Sequence, residues 1–164
     1  MNEREQILRN RIWRLTWFFI VALALSGATA IPLESELNLL AGLFPRDNSS
    51  ALAGWILKVR DGLHQTNAQF PFMSYGTDWL AFGHFVIAIA FIGPLRDPVR
   101  NVWIYTFGMI ACVLILPYAF MVGEVRGIPV YWRMIDCSFG VFGFIPLWIC
   151  RRSAMELERI ELER

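Results

Sequence analysis

Two carboxylates and an imidazole fall in this chain where a lipid bilayer would make them costly. Residues 75–94 read Tyr-Gly-Thr-Asp-Trp-Leu-Ala-Phe-Gly-His-Phe-Val-Ile-Ala-Ile-Ala-Phe-Ile-Gly-Pro, and they are apolar from Trp79 to Gly93 except for His84. Asp78 opens this run. A second apolar run, 134–150, opens on Arg133 and Asp136. Ionisable groups at membrane depth are functional candidates by default. An imidazole with two carboxylates suits general acid/base work or the ligation of a divalent ion. His84, Asp78 and Asp136 are therefore the candidate catalytic residues and the candidate metal ligands. Glu124, Arg126 and Arg133 join them as a candidate ligand-binding set.

Each of these residues also has a plain structural role open to it. Asp78 follows Thr77 at a helix start, where free amides and the helix dipole favour an acid. Asp136 lies three residues after Arg133, the spacing of an ion pair on one helix. His84 can bond a backbone carbonyl, Glu124 and Arg126 can pair in a loop, and His64 beside Arg60 and Asp61 suits a solvated face. Two histidines cannot supply a three-histidine zinc site, and a bis-histidine haem would need both His64 and His84. Ser74, Ser138 and the cysteines have no histidine at a recognisable spacing, and no glycine loop cradles phosphate. No cofactor is expected, with a divalent metal kept as the alternative.

Composition places these residues in a membrane protein. The chain has 164 residues, of which 56% are hydrophobic, with a net charge of +1. That balance lies outside the range of soluble domains and gives no electrostatic footprint for nucleic acid. Cys112, Cys137 and Cys150 all fall in apolar runs and read as small packing residues.

Four membrane spans follow, at about 15–31, 77–94, 99–122 and 134–150. Residues 1–14 read as a basic, weakly amphipathic helix that lies on the membrane surface and runs into the first span, with Trp13 and Trp17 anchoring that span. A signal peptide is the rival reading of the first run, because Ala28-Thr29-Ala30 has the small-x-small pattern of a cleavage site. Two interfacial helices are expected at about 33–44 and 51–64, separated by a turn over 45–50 with Ser50 as a cap. The whole connection 32–76 is expected to cover the outer mouth of the spans. Asp97 with Pro98 should cap the third span. In the cytoplasmic tail 151–164, residues 153–164 should form a short solvated helix with Glu156/Arg159 and Glu161/Arg164 pairs.

Arginine and lysine positions set the expected orientation. With both termini cytoplasmic, the inner segments hold Arg4, Arg9, Arg11, Arg14, Arg96, Arg100, Arg151, Arg152, Arg159 and Arg164. The outer segments hold Arg46, Lys58, Arg60, Arg126 and Arg133. Small residues give the packing faces: Asp136, Gly140 and Gly143 on the fourth span, and Ala81, His84 and Ala88 on the second. Ala22, Ser26 and Thr29 on the first, and Gly108, Ala111 or Cys112 and Ile115 on the third, are the surfaces expected to meet them. The fold class is all-α, an integral membrane four-helix bundle with an outer amphipathic cap.

The function expected is that of a small accessory or ligand- or lipid-binding protein with a polar pocket at the outer end. The alternative is a membrane-embedded, metal-dependent enzyme acting on a lipid or isoprenoid. A transporter is disfavoured because the charges gather at one end. Expected partners are membrane lipids and a second copy or another membrane protein, in a bacterial cytoplasmic membrane.

Overall fold

The computed structural model describes residues 3–44 and 50–163. The expected turn residues 45–49, Arg46 among them, and Arg164 lie outside the described residues. The elements run α1 (Glu3–Ala30), α2 (Leu33–Gly42), α3 (Ala51–Gln69), a 3-10 turn (Pro71–Ser74), α4 (Tyr75–Ala90), α5 (Ile92–Arg96), α6 (Val102–Val125) and α7 (Val130–Leu162). No strand occurs among the described residues.

Four stretches, Glu3–Ala30, Pro71–Arg96, Val102–Val125 and Val130–Leu162, are long and apolar enough to cross a membrane. Their outward faces carry Phe18, Leu25, Trp79, Ile89, Leu114, Phe139 and Phe142, all exposed. Water would penalise apolar surface of that extent, whereas a bilayer accepts it and demands helices that satisfy their own backbone. The protein is therefore membrane-associated and all-helical.

The residues group in two compact units, Met1–Val21 with Ala88–Arg164, and Ala22–Ile87. In the first, α6 and α7 form a hairpin in close contact. A side chain at Gly140 would stand 2.6 Å from the Cys112 carbonyl oxygen, one at Gly143 3.1 Å from Cys112 Sγ, and one at Gly108 2.8 Å from Leu147 Cδ1. The two glycines of the stripe expected on the fourth span thus face the third, Gly140 against its backbone and Gly143 against the Cys112 side chain.

The start of α1 runs into the first span as expected: Glu3–Ala30 is one continuous helix, about 42 Å long at 1.5 Å per residue, more than a bilayer core of about 30 Å needs. What differs from a helix lying on the membrane surface is its packing. Its apolar stripe of Leu8 and Ile12 is buried in this unit, as are Ala154 and Leu157 of α7. Arg4 Nε donates to Glu156 Oε1 at 2.7 Å, and Arg9 Nη2 to Glu161 Oε1 at 2.8 Å. The described part of the tail is correspondingly not a separate solvated helix: residues 151–162 are the last turns of α7. Glu156 pairs across to Arg4 of α1 instead of with Arg159, and Glu161 pairs with Arg9, whereas its expected partner Arg164 lies outside the described residues.

The turn between α5 and α6 also differs. Asp97 Oδ1 accepts from the Arg100 amide at 3.0 Å, and Asn101 Nδ2 donates to the Asp97 carbonyl at 2.9 Å. Asp97 therefore closes a turn, and the third span starts at Val102, three residues later than expected. It ends at Val125, and the fourth starts at Val130, four residues early.

In the second unit, the end of α1 meets α4 at Gly27, where a side chain would stand 2.9 Å from both the Ala81 carbonyl oxygen and His84 Cβ. The expected face on α4 is used, but its opposing surface is Gly27 in place of Ala22, Ser26 and Thr29. Helices α2 and α3 pack on one another through buried Leu37, Ala41, Ala53 and Ile56. Ser50 caps α3 as expected, its hydroxyl accepting from the Ala53 amide at 3.2 Å. Helix α3 runs five residues past the expected 64, to Gln69, and the chain then turns into α4 through Pro71.

Candidate ligand pocket

Glu34 stands in the first turn of α2, while His64 and Asn67 lie three residues apart on one face of α3. Packing of α2 on α3 brings all three together. Asn67 Nδ2 donates to Glu34 Oε2 at 2.6 Å, His64 Nδ1 shares a 2.7 Å hydrogen bond with Glu34 Oε1, and Ser74 Oγ donates to Asn67 Oδ1. The chain of bonds runs from the 3-10 turn through α3 to α2. The bond from Asn67, then that from His64, hold the Glu34 carboxyl below its ordinary value of 4.5.

Glu34, Asn67 and Ser74, but not His64, border a cavity of about 220 Å³ whose wall also includes Thr77 and Asp78, with Ala30 to Leu33 closing one side. Asp78 reaches it from the first turn of α4. The wall holds two carboxylates, one amide and hydroxyls, and no basic residue. A mostly apolar cleft of about 370 Å³ adjoins it through Leu63, Ser74 and Thr77 and continues along Trp55, Val59 and Met73, with Lys58 over the Trp55 ring at 5.8 Å. Trp55 Nε1 is buried there without a hydrogen-bond partner among the described residues. A polar recess beside an apolar trough suits a small ligand with one charged end.

Comparison with known proteins finds no matching family model, no matching curated protein and no matching solved structure.

The residues expected to form the site fall in both units. Asp78 lines the pocket. His84, on the same helix, is half-buried and turns Nδ1 to the Leu80 carbonyl at 2.8 Å, the backbone bond of a packed helix histidine. In the other unit Arg133 does not pair with Asp136, as its spacing suggests, but with Glu124, Nη1 to Oε2 at 2.6 Å. Its Nε donates to the Ile128 carbonyl at 2.7 Å and its methylenes lie on Gly123. The α6–α7 turn, which includes Gly127 at φ +65°, is thereby stapled. Glu124 is thus not paired with Arg126, which is exposed, and Asp136 is half-buried beside the small-residue stripe. Among the described residues no three His, Cys, Asp or Glu side chains gather to hold a metal ion.

Glu34, His64, Asn67 and Ser74 were not among the sequence-derived site residues. The only sequence signal for them is that polar groups interrupt two short amphipathic helices. A buried hydroxyl–thiol cluster was equally hidden: Thr16 Oγ1 and Tyr105 Oη share a 2.7 Å bond, with Cys150 Sγ 3.7 Å from Thr16. Its three residues are at most 1% exposed, and Phe91 packs on Tyr105 with ring centres 6.2 Å apart. It is a satisfied core, closed to any ligand.

Proposed function

We propose that this protein is a four-span membrane protein that binds, at the outer ends of its first two spans, a small ligand carrying an ammonium group. The observation that carries the reading is the pairing of Glu34 and Asp78 on one small cavity with no base in its wall. A carboxylate has room for about four hydrogen bonds, so Glu34 can accept from Asn67, His64 and a ligand at once. Asn67 and His64 fix its orientation in advance, which lowers the entropy lost on binding. The adjoining cleft would take the apolar remainder of the ligand, and an acceptor entering it would satisfy Trp55 Nε1.

The ten arginines assigned to inner segments, against five basic residues outside, support both termini in the cytoplasm. The pocket then faces outward, with α2 and α3 covering it. Close helix approach at Gly27 within one unit, and at Gly108 and Gly140 within the other, supports tight packing of the spans inside each unit. The ammonium group can come from a phosphatidylethanolamine headgroup or from a free amine. A thermal-unfolding screen of the purified protein separates them: ethanolamine alone raises the midpoint if the free amine suffices, and only ethanolamine lipid does so if the headgroup is needed. Equal response to glycerol or to phosphatidylcholine would refute the reading.

A further inference from the structure

A second candidate site lies in the first unit, between α1 and α7. We propose that the groove between α1 and α7, bordered by Ile7, Asn10, Arg11, Arg14, Leu15 and Ile149, seats the phosphate headgroup of an anionic phospholipid. The groove encloses about 630 Å³, and its wall contains two arginines and no acid.

The arginines of α1 divide into two kinds. Arg4 and Arg9 are taken by Glu156 and Glu161 of α7. Arg11 and Arg14 have no ion pair among the described residues, and both are exposed on the groove. Asn10 uses its oxygen to accept from Gln6 at 3.2 Å, which leaves its amide nitrogen as a further donor. Two guanidinium forks with an amide donor suit the oxygens of a phosphate diester.

The depth of the groove fits a headgroup. Exposed Trp13 and Trp17, edge to face at 6.2 Å, lie within one turn of Arg14 along α1, and on α7 Trp148, next to Ile149 in the chain, lies under the Arg152 guanidinium at 5.6 Å. Tryptophan and arginine paired in this way mark the bilayer interface. Beyond that level the surface is apolar: Phe18 follows Leu15 by one turn on α1, and Ile145 and Phe142 precede Ile149 by one and two turns on α7, all three exposed. Acyl chains have a path there while the phosphate stays with Arg11 and Arg14. A basic groove at this depth is the usual receptor for anionic headgroups.

Native mass spectrometry of the full chain, released from nanodiscs with equal phosphatidylglycerol and phosphatidylcholine, tests the proposal. Each arginine is expected to favour the anionic lipid about fivefold. The wild type should retain phosphatidylglycerol in preference, Arg11→Gln/Arg14→Gln should lose the preference, and Arg100→Gln, which removes a charge elsewhere, should keep it. If the double variant does not fold, raising the ionic strength on the wild type must shrink the preference. Equal retention of the two lipids by the wild type overturns the proposal, as does preference surviving in the double variant or unmoved by salt. Displacement of the lipid by inorganic phosphate at millimolar concentration would also overturn it, in favour of a free-anion site.

Discussion

Asn67 and Glu34 are joined by a 2.6 Å hydrogen bond that crosses from α3 to α2, 33 residues apart in the chain. Ser74 extends the link into the turn before α4, so one amide ties together three of the elements that surround the pocket. Asn67→Leu keeps the volume and removes both bonds. Amide hydrogen exchange in Leu33–Gly42 should then rise while exchange in α6 is unchanged. Unchanged protection in α2 would mean that the bond does not hold the two helices.

The same carboxylate gives a pH dependence of known sign. Because its folded-state value is depressed, Glu34 stabilises the α2–α3 pair above its unfolded value of about 4.5, and the effect is lost as pH falls through the lower folded value. Exchange protection of α2 should therefore fall between about pH 4.5 and the folded value, and Glu34→Gln should show a smaller drop than wild type across that window. Parallel curves for the two proteins would remove Glu34 from the account.

Glycine substitutions should divide by what faces them. Gly140→Ala drives a methyl against the Cys112 backbone, which cannot move without shifting α6, and should cost about 1–3 kcal/mol. Gly54→Ala on α3 meets nothing within 4 Å and should stabilise by about 0.5–1 kcal/mol. Thermal unfolding in one detergent compares them. Equal effects of the two would mean that the α6–α7 contact is looser than described.

Arg133 should couple to Glu124 and not to Asp136. Glu124 is largely exposed, so their coupling in a double-mutant cycle should be modest, about 0.5 kcal/mol. Arg133→Ala itself should cost more, about 1–3 kcal/mol, because it also leaves the Ile128 carbonyl without its donor. Coupling to Asp136 larger than that to Glu124 would restore the ion pair suggested by sequence spacing.

The spans were legible because apolar runs of that length have few other uses, and the Asp136–Gly140–Gly143 stripe because residues three and four apart share a helix face. Other features depended on partners that a local pattern does not contain. A basic amphipathic segment such as 1–14 has the same spacing whether its apolar stripe lies on lipid or, as here, on α7. Asp97 before Pro98 is equally good for a helix cap and for a turn, and Asn101 bonding back to the Asp97 carbonyl favours the turn. Arg133 could reach Asp136 one turn on or Glu124 across the loop, and the tight Gly123 surface under its methylenes selects Glu124. Glu34, His64 and Asn67 meet only because α2 folds on α3, a pairing 30 and 33 residues apart that no periodicity announces.

The binding claim is tested most directly by calorimetric titration of the purified, lipid-reconstituted chain with whichever ammonium compound most raises the unfolding midpoint. The wild type should bind it saturably at one site, and Asp78→Asn and Glu34→Gln should each weaken it by about tenfold, as for loss of a charge-assisted bond of about 1.4 kcal/mol. His84→Ala, which leaves the cavity wall intact, should bind as wild type does. Undiminished binding in both carboxylate variants, or loss in His84→Ala alone, would contradict the assignment of the site.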